Sequence, residues 1–156
     1  MDIRPLVNSD IPAVTALFQM LARAYIVHES PAEGAANFLA ENNEMGIRGF
    51  IARGHAYHVA LVDGVVVGFV AVRDNSHLFH LFVADSHQRR GIARRLWHVA
   101  HADAIARGGD GAFTVNASNY AVPVYESFGF VRVGPTQFAK GLYYNPMRLA
   151  VDEHDV

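Results

Sequence analysis

The sequence predicts a single α/β domain, a mixed and mostly antiparallel sheet with flanking helices. Three observations predict it. Apolar residues recur at helical spacing from Ile11 to Ala22 and again from Ile92 to Ala104. Between those stretches, three apolar runs are separated by Asp63-Gly64 and Asp74-Asn75-Ser76, the turn chemistry of an antiparallel meander. After the second helical stretch the chain returns to short strands around one more helix, so the order is strand, two helices, three-strand meander, helix, strand, helix and two strands. The chain has 156 residues, enough to bury one core. A hydrophobic fraction of 51% against 18% charged places it among folded chains.

The elements follow in order. Ile3 to Val7 reads as an edge strand that tolerates Pro5. Asn8 or Ser9 is a suitable N-cap for a helix from Ile11 to Val27, with Pro12 in its first turn. Ser30 caps a second helix, Ala32 to Glu41, and a short helical piece follows from Met45 to Arg53. His58 to Val62 and Val65 to Arg73 form a hairpin, and His77 to Ala84 is the third strand. Period two puts Phe79, Leu81 and Val83 on one face of that strand and Leu78 and Phe82 on the other. It should therefore be central and covered on both sides. The helix after Gly91 carries Ile92, Leu96, Val99, Ala100 and Ala104 as its apolar stripe and stops at Gly108-Gly109. Ala112 to Ala117 is a strand and Asn119 to Phe128 a short helix. Phe130 to Gly134 and Leu142 to Val151 make a last hairpin with a longer loop. Residues 1–151 thus form one domain, and 152–156 a polar tail.

Composition removes several functions. With no cysteine, disulfides, thiolate metal sites and a cysteine nucleophile are excluded. A net charge of −2 disfavours a dedicated nucleic-acid binder. No apolar run is long enough to span a bilayer, and the first ten residues lack a signal pattern, so a cytoplasmic protein without membrane contact is expected. His98 and His101 stand one helical turn apart without a third ligand, and no metal site is expected.

The stretch Gln88-Arg89-Arg90-Gly91-Ile92-Ala93 carries the chemistry. It joins an apolar strand to a helix. The first turn of a helix offers unpaired N–H groups and the positive end of the macrodipole, which suits a phosphate. Gly91 permits close backbone approach, and the neighbouring arginines add fork-shaped cationic donors. A P-loop would need a Gly-Lys-Ser/Thr ending, but Lys140 is the only lysine in the chain. A dinucleotide fingerprint would need three spaced glycines, and only Gly91 is present.

This loop, following Leu81-Phe82-Val83, resembles the acyl-CoA loop of the GNAT-type N-acyltransferases, Gln/Arg-x-x-Gly-x-Gly/Ala. Downstream, Asn116 to Phe130 (NASNYAVPVYESFGF) is similar to that family's second motif, with Tyr125 shortly before Gly129-Phe130. The order of elements is also the family's. The resemblance covers nearly the whole domain.

It implies the acyl-CoA N-acyltransferase fold and an enzyme that transfers an acetyl group from acetyl-CoA to a primary amine of a small molecule or peptide. The amine would attack the thioester directly in a ternary complex. The N–H groups from Arg89 through Gly91, Ile92 and Ala93 to Arg94 would hold the diphosphate, with Gln88 opening the loop. Outer phosphate contacts are implied for Arg89, Arg90, Arg94 and Arg95. A bulge near the end of the central strand would splay it from its neighbour, and the pantetheine arm would pair with Leu81, Phe82 and Val83. An N–H near Val83 would polarise the thioester carbonyl. Ser118 or Asn119 would bond the pantetheine.

Tyr125 is the implied general acid, because a phenol is protonated at neutral pH and can donate to a leaving thiolate. The base is less defined. The strand Phe113-Thr114-Val115-Asn116 has no carboxylate where many relatives carry a glutamate. His77 and His80 are candidates, on opposite faces by period two, and Glu29 is another. Phe38, Tyr57, Phe138, Tyr143 and Tyr144 would wall the acceptor pocket. The rival readings are a non-catalytic acyl-CoA-binding module on the same fold and an arginine-helix nucleic-acid binder. A homodimer is left open.

Overall fold

The computed structural model describes residues 1–151; the tail expected over 152–156 lies outside the described residues. Eight strands form one sheet: β1 (Asp2–Pro5), β2 (Ala56–Val62), β3 (Val65–Arg73), β4 (His77–Val83), β5 (Phe113–Ala117), β6 (Val131–Arg132), β7 (Gln137–Ala139) and β8 (Leu142–Leu149). The strand order is β1-β2-β3-β4-β5-β8-β6, with β7 pairing β8 off that path. Among the described residues only the β4–β5 junction is parallel, and it is short: His77 pairs with Thr114 and Leu78 with Val115. Beyond Leu78 the two strands diverge.

Helices α1 (Ile11–Tyr25), α2 (Ala32–Glu41) and α3 (Glu44–Ala52) lie on one face of the sheet, and α4 (Ile92–Ala106) and α5 (Val122–Ser127) on the other. One core joins Ile11, Phe18, Leu21 and Ile47 to Val59 and Phe69. The other joins Leu96, Trp97 and Ala100 to Val70, Phe113 and Phe130. Trp97 belongs to the buried stripe of α4, beside the expected Ile92, Leu96, Ala100 and Ala104.

Several expectations are corrected. The N-cap of α1 is Asp10, not Asn8 or Ser9, which form a short 3-10 turn with it. The Asp10 carboxylate turns back to the Val7 N–H at 2.8 Å and to Arg4 at 2.7 Å, tying α1 to β1. Ser30 does not cap α2: Pro31 takes the N-cap position, and the Ser30 hydroxyl is buried without a hydrogen-bond partner. The second motif's helix is shorter than expected, Val122–Ser127, because Ser118 to Ala121 form a turn. The loop of the last hairpin contains the extra strand β7.

The largest correction concerns β4. Ala71 pairs with His80 and Val72 with Leu78, so Phe79 is an extra residue, a bulge. The bulge inverts the alternation. Leu78, Leu81 and Val83 pack toward α4, while Phe79 and Phe82 pack toward α1. His77 opposes Arg73 and His80 opposes Ala71, two positions of β3 with the same parity. His77 and His80 therefore share a face. The bulge also falls near the start of β4, not its end.

Candidate functional site

The divergence of β4 from β5 opens a cleft, and a cavity of about 980 Å³ runs through it. At one end lie Gln88, Arg89, Gly91 and the first turn of α4; at the other lie His77, Phe79, His80 and the turn between β7 and β8.

The loop end has the backbone that anion binding requires. Gly91 is the N-cap of α4 with φ +77°, and no side chain caps the helix. Arg89 also lies in the left-handed region, with φ +63°. A non-glycine residue is strained there by roughly 1–2 kcal/mol, and such strain concentrates at ligand sites. Alternating left-handed residues turn successive N–H groups inward to form an anion nest. Ile92, Ala93 and Arg94 complete this wall. The Arg94 guanidinium lies over the Phe128 ring and donates to the Ser127 carbonyl at 3.2 Å. Arg90 is turned away, toward Arg95 and a separate small depression.

Along the middle, the open edge of β4 presents backbone groups. The Ala84 N–H donates to the Val67 carbonyl. By alternation Phe82 bonds across to β3, and the Leu81 and Val83 N–H groups point to the open edge. The Val83 carbonyl accepts from Gln88 Nε2 at 3.0 Å. Gln88 is itself held by the Tyr120 hydroxyl, which donates to Gln88 Oε1 at 3.1 Å. Tyr120 stacks on Tyr25 at 4.1 Å, and the Tyr25 hydroxyl donates to Asp85 at 2.6 Å. That bond raises the Tyr25 pKa to about 12. These contacts bridge the end of α1 to the loop before α5 across the cleft.

Tyr125 lines the cavity from the α5 side, buried and edge-on to Phe128 and Phe130. Burial pushes its phenol up, so it stays protonated well above the usual range. It is at once a core residue and the phenol that faces the cleft. Ser118 also lines the cavity, with its Oγ accepting from the Ala121 N–H at 3.2 Å. Asn119 is not part of the lining. Its amide nitrogen donates to Glu29 at 2.8 Å, and its oxygen accepts from the buried Asn145 at 2.8 Å. Glu29, the alternative base, is occupied by the same bond and lies outside the lining.

Both histidines face the far end. His77 Nδ1 lies 2.7 Å from the Thr114 hydroxyl. His80 Nε2 lies 3.0 Å from Asn42 Oδ1. The Asn42 amide donates to the Phe38 carbonyl at 2.9 Å, which orients its oxygen toward the histidine. An amide oxygen only accepts, so His80 carries its proton on Nε2 and keeps a lone pair on Nδ1. Burial pushes His77 down to about 4 and His80 to about 3, and His80 is packed among Phe18, Phe79 and Phe82. Both are neutral at pH 7.

Phe38, Tyr143 and Tyr144 wall the far end as expected. Tyr57 does not: it is buried against Phe69 with its hydroxyl unpaired. Phe138 is exposed, packs at a tilt against Tyr143, and is not part of the lining. The turn between β7 and β8 touches α2 through two glycines; a Cβ on Gly34 would lie 2.7 Å from the Gly141 Cα. Asn42, Gln19 and Tyr120 were not singled out from the sequence. An asparagine ending a helix reads as a stop signal, and nothing local reveals that it reaches a strand 38 residues on.

The family of the acetyltransferase (GNAT) domain matches residues 26–151. No curated protein matches the chain in sequence. Solved structures share the fold. The GCN5-related N-acetyltransferase of Rhodopseudomonas palustris superposes with a TM-score of 0.77 at 23% identity, covering 94% of this chain and 93% of that one. The PaiA N-acetyltransferase of Thermoplasma acidophilum, in complex with coenzyme A, gives 0.74 at 14% identity, covering 94% and 96%. The putative acetyltransferase YncA of Salmonella typhimurium, with its cofactor acetyl-CoA, gives 0.69 at 22% identity, covering 99% and 95%.

Proposed function

Since the chain belongs to the GNAT acetyltransferase family, and is thereby an acyl-CoA-dependent acetyltransferase that uses acetyl-CoA as cosubstrate, we propose that its acceptor is a primary amine of a small molecule or peptide and that the amine attacks the thioester directly in a ternary complex. One observation carries the reading. A single cleft joins an uncapped helix N-terminus, an open strand edge, a protonated phenol and a neutral imidazole, in that order.

In this reading the diphosphate sits on the N–H groups from Arg89 to Arg94, with the Arg89 and Arg94 side chains nearby. The pantetheine pairs with the N–H groups of Leu81 and Val83, and Ser118 lies beside it. The amine nitrogen bonds to the thioester carbon while the carbonyl oxygen gains charge near the Val83 N–H. The C–S bond then breaks, the sulfur takes a proton from Tyr125, and the phenolate regains a proton from solvent. The proton lost by the nitrogen passes to His80 Nδ1, directly or through water. With a pKa depressed by burial, His80 accepts it only transiently and returns it to solvent. His77, bonded to Thr114, lines the same wall. A cytoplasmic location is part of the proposal; among the described residues no helix is long and apolar enough to cross a membrane.

The test is thiol release from acetyl-CoA across an amine panel, with CoA affinity measured by calorimetry. Amine-dependent release supports transfer. Tight CoA binding with no release for any amine points to the non-catalytic CoA-binding module instead.

A further inference from the structure

The acceptor end of the cavity is charged in one sense only. Arg73 and Lys140 are the cations that line it, Arg73 beside His77 and Lys140 on the turn that meets α2. Among the described residues, no aspartate or glutamate lines any part of the cavity. The histidines there add no negative charge, and Arg73 is one cause of the lowered His77 pKa. Asn116, the cavity-lining residue of β5 nearest this end, is a neutral amide. Phe38, Phe79, Tyr143 and Tyr144 supply apolar and aromatic surface to the same cavity.

Carboxylates do occur outside. Asp74 lies 3.7 Å from Arg73 but is 83% exposed, so solvent screens that pair. Glu29 is bonded to Asn119 beyond the wall.

We propose that the acceptor is an amine that also carries a carboxylate or a similar anionic group on an apolar or aromatic body, and that polycationic amines are excluded. The assignment rests on the acetyl-transfer reading of the same site. A polyamine entering this cleft would bring several ammonium groups into a partly desolvated space with no anion to meet them, and unpaired buried charge is costly. An amino-acid-like acceptor would place its carboxylate by Arg73 or Lys140 and its ring against the tyrosines. Its amine would be left near His80.

The test compares matched pairs on the CoA-saturated full chain. Phenylalanine, tyrosine and tryptophan are titrated against phenylethylamine, tyramine and tryptamine, with spermidine as the polycation. The carboxylated member of at least one pair should bind about 3- to 5-fold more tightly, the size of one partly exposed charge pair. Arg73→Gln or Lys140→Gln should shrink that gap by about 3-fold or more. No preference in any pair, spermidine binding as tightly as the best amino acid, or a gap that survives both substitutions would overturn the proposal. Thiol release is followed in parallel. A carboxylate preference with no release for any amine would overturn the transfer reading and with it the acceptor assignment, whereas release without a carboxylate preference would overturn the acceptor assignment alone.

Discussion

Asn42 holds His80: its side-chain oxygen accepts from His80 Nε2 at 3.0 Å, and its own amide is anchored on the Phe38 carbonyl at 2.9 Å. Gln19 in turn donates to the Leu39 and Asn42 carbonyls, so the end of α2 is pinned to α1. The imidazole is thereby fixed in one tautomer. Asn42 is a positioning residue, and replacing it with aspartate should act through the histidine. A carboxylate at 3 Å stabilises imidazolium and raises the His80 pKa by about 1–3 units. Asn42→Asp should add an acid limb to the kcat/KM profile that the parent lacks, with CoA affinity unchanged. A parallel loss at all pH values would reduce Asn42 to a structural role.

Tyr125→Phe removes a proton and keeps the ring. Because the phenol packs against Phe128 and Phe130, the fold should hold. Turnover should drop about 10²-fold or more, the usual size of a general-acid contribution, while CoA affinity stays within a few-fold. The raised phenol pKa also predicts that parent activity persists through about pH 10. A decline centred on an ordinary tyrosine pKa would place the titrating group elsewhere.

Gly91 has φ +77°, and a Cβ there would meet nothing within 4 Å. Gly91→Ala therefore costs only backbone strain, about 1 kcal/mol. Gly91→Glu adds a negative side chain at the anion site. CoA affinity should fall at least about 10-fold for glutamate and by much less for alanine. Equal affinities in calorimetry would move the diphosphate off this loop.

Much of this was readable in advance. Element order and the uncapped helix follow from local signals: apolar period, glycine and turn chemistry. Tyr125 is singled out only by the resemblance of its motif, since apolar period alone makes it a core residue. The Phe79 bulge is not local. Leu78-Phe79-His80-Leu81 alternates like any strand, and only the pairing with Ala71 and Val72 reveals the extra residue. The same holds for Asn119, whose amide lies near the expected position but is consumed by Glu29 and Asn145. Tertiary partners took up groups that spacing alone would leave free.

The two histidines should also make the fold acid-sensitive. His77 and His80 are pushed down to about 4 and about 3. The folded state keeps them neutral, while the unfolded chain binds protons below about 6.5. Their stabilisation is complete above that value and is lost as pH falls toward 4 and then 3. Each contributes at most about 1.4 kcal/mol per pH unit in that window. Urea midpoints at pH 7.5 and 5 should differ by up to roughly 4 kcal/mol in unfolding free energy. A His77→Gln variant should show a smaller difference, and an unchanged one would remove His77 as a cause.

Gly34→Ala tests the contact that closes the far end. Its Cβ would sit 2.7 Å from the Gly141 Cα, and both partners are backbone. Overpacking of this kind costs about 1–3 kcal/mol. The turn carrying Lys140 would be pushed from α2. The acceptor KM should rise while CoA affinity holds; a change in CoA affinity alone would contradict this placement.

The bulge at Phe79 has a consequence for how the site can vary. A strand ordinarily offers one face every second residue, so His77 and His80 should be out of phase. The extra residue works as a half-turn of the ribbon, and everything from His80 to Val83 reads in the opposite phase from Leu78. Deleting Phe79 would restore regular alternation with His80 still opposite Ala71, so His80 would keep facing α1 and Leu81 would keep facing α4. The bulge thus lets the α1 face of β4 carry three of four consecutive residues, two imidazoles with an aromatic ring between them, where regular alternation would give that face only two.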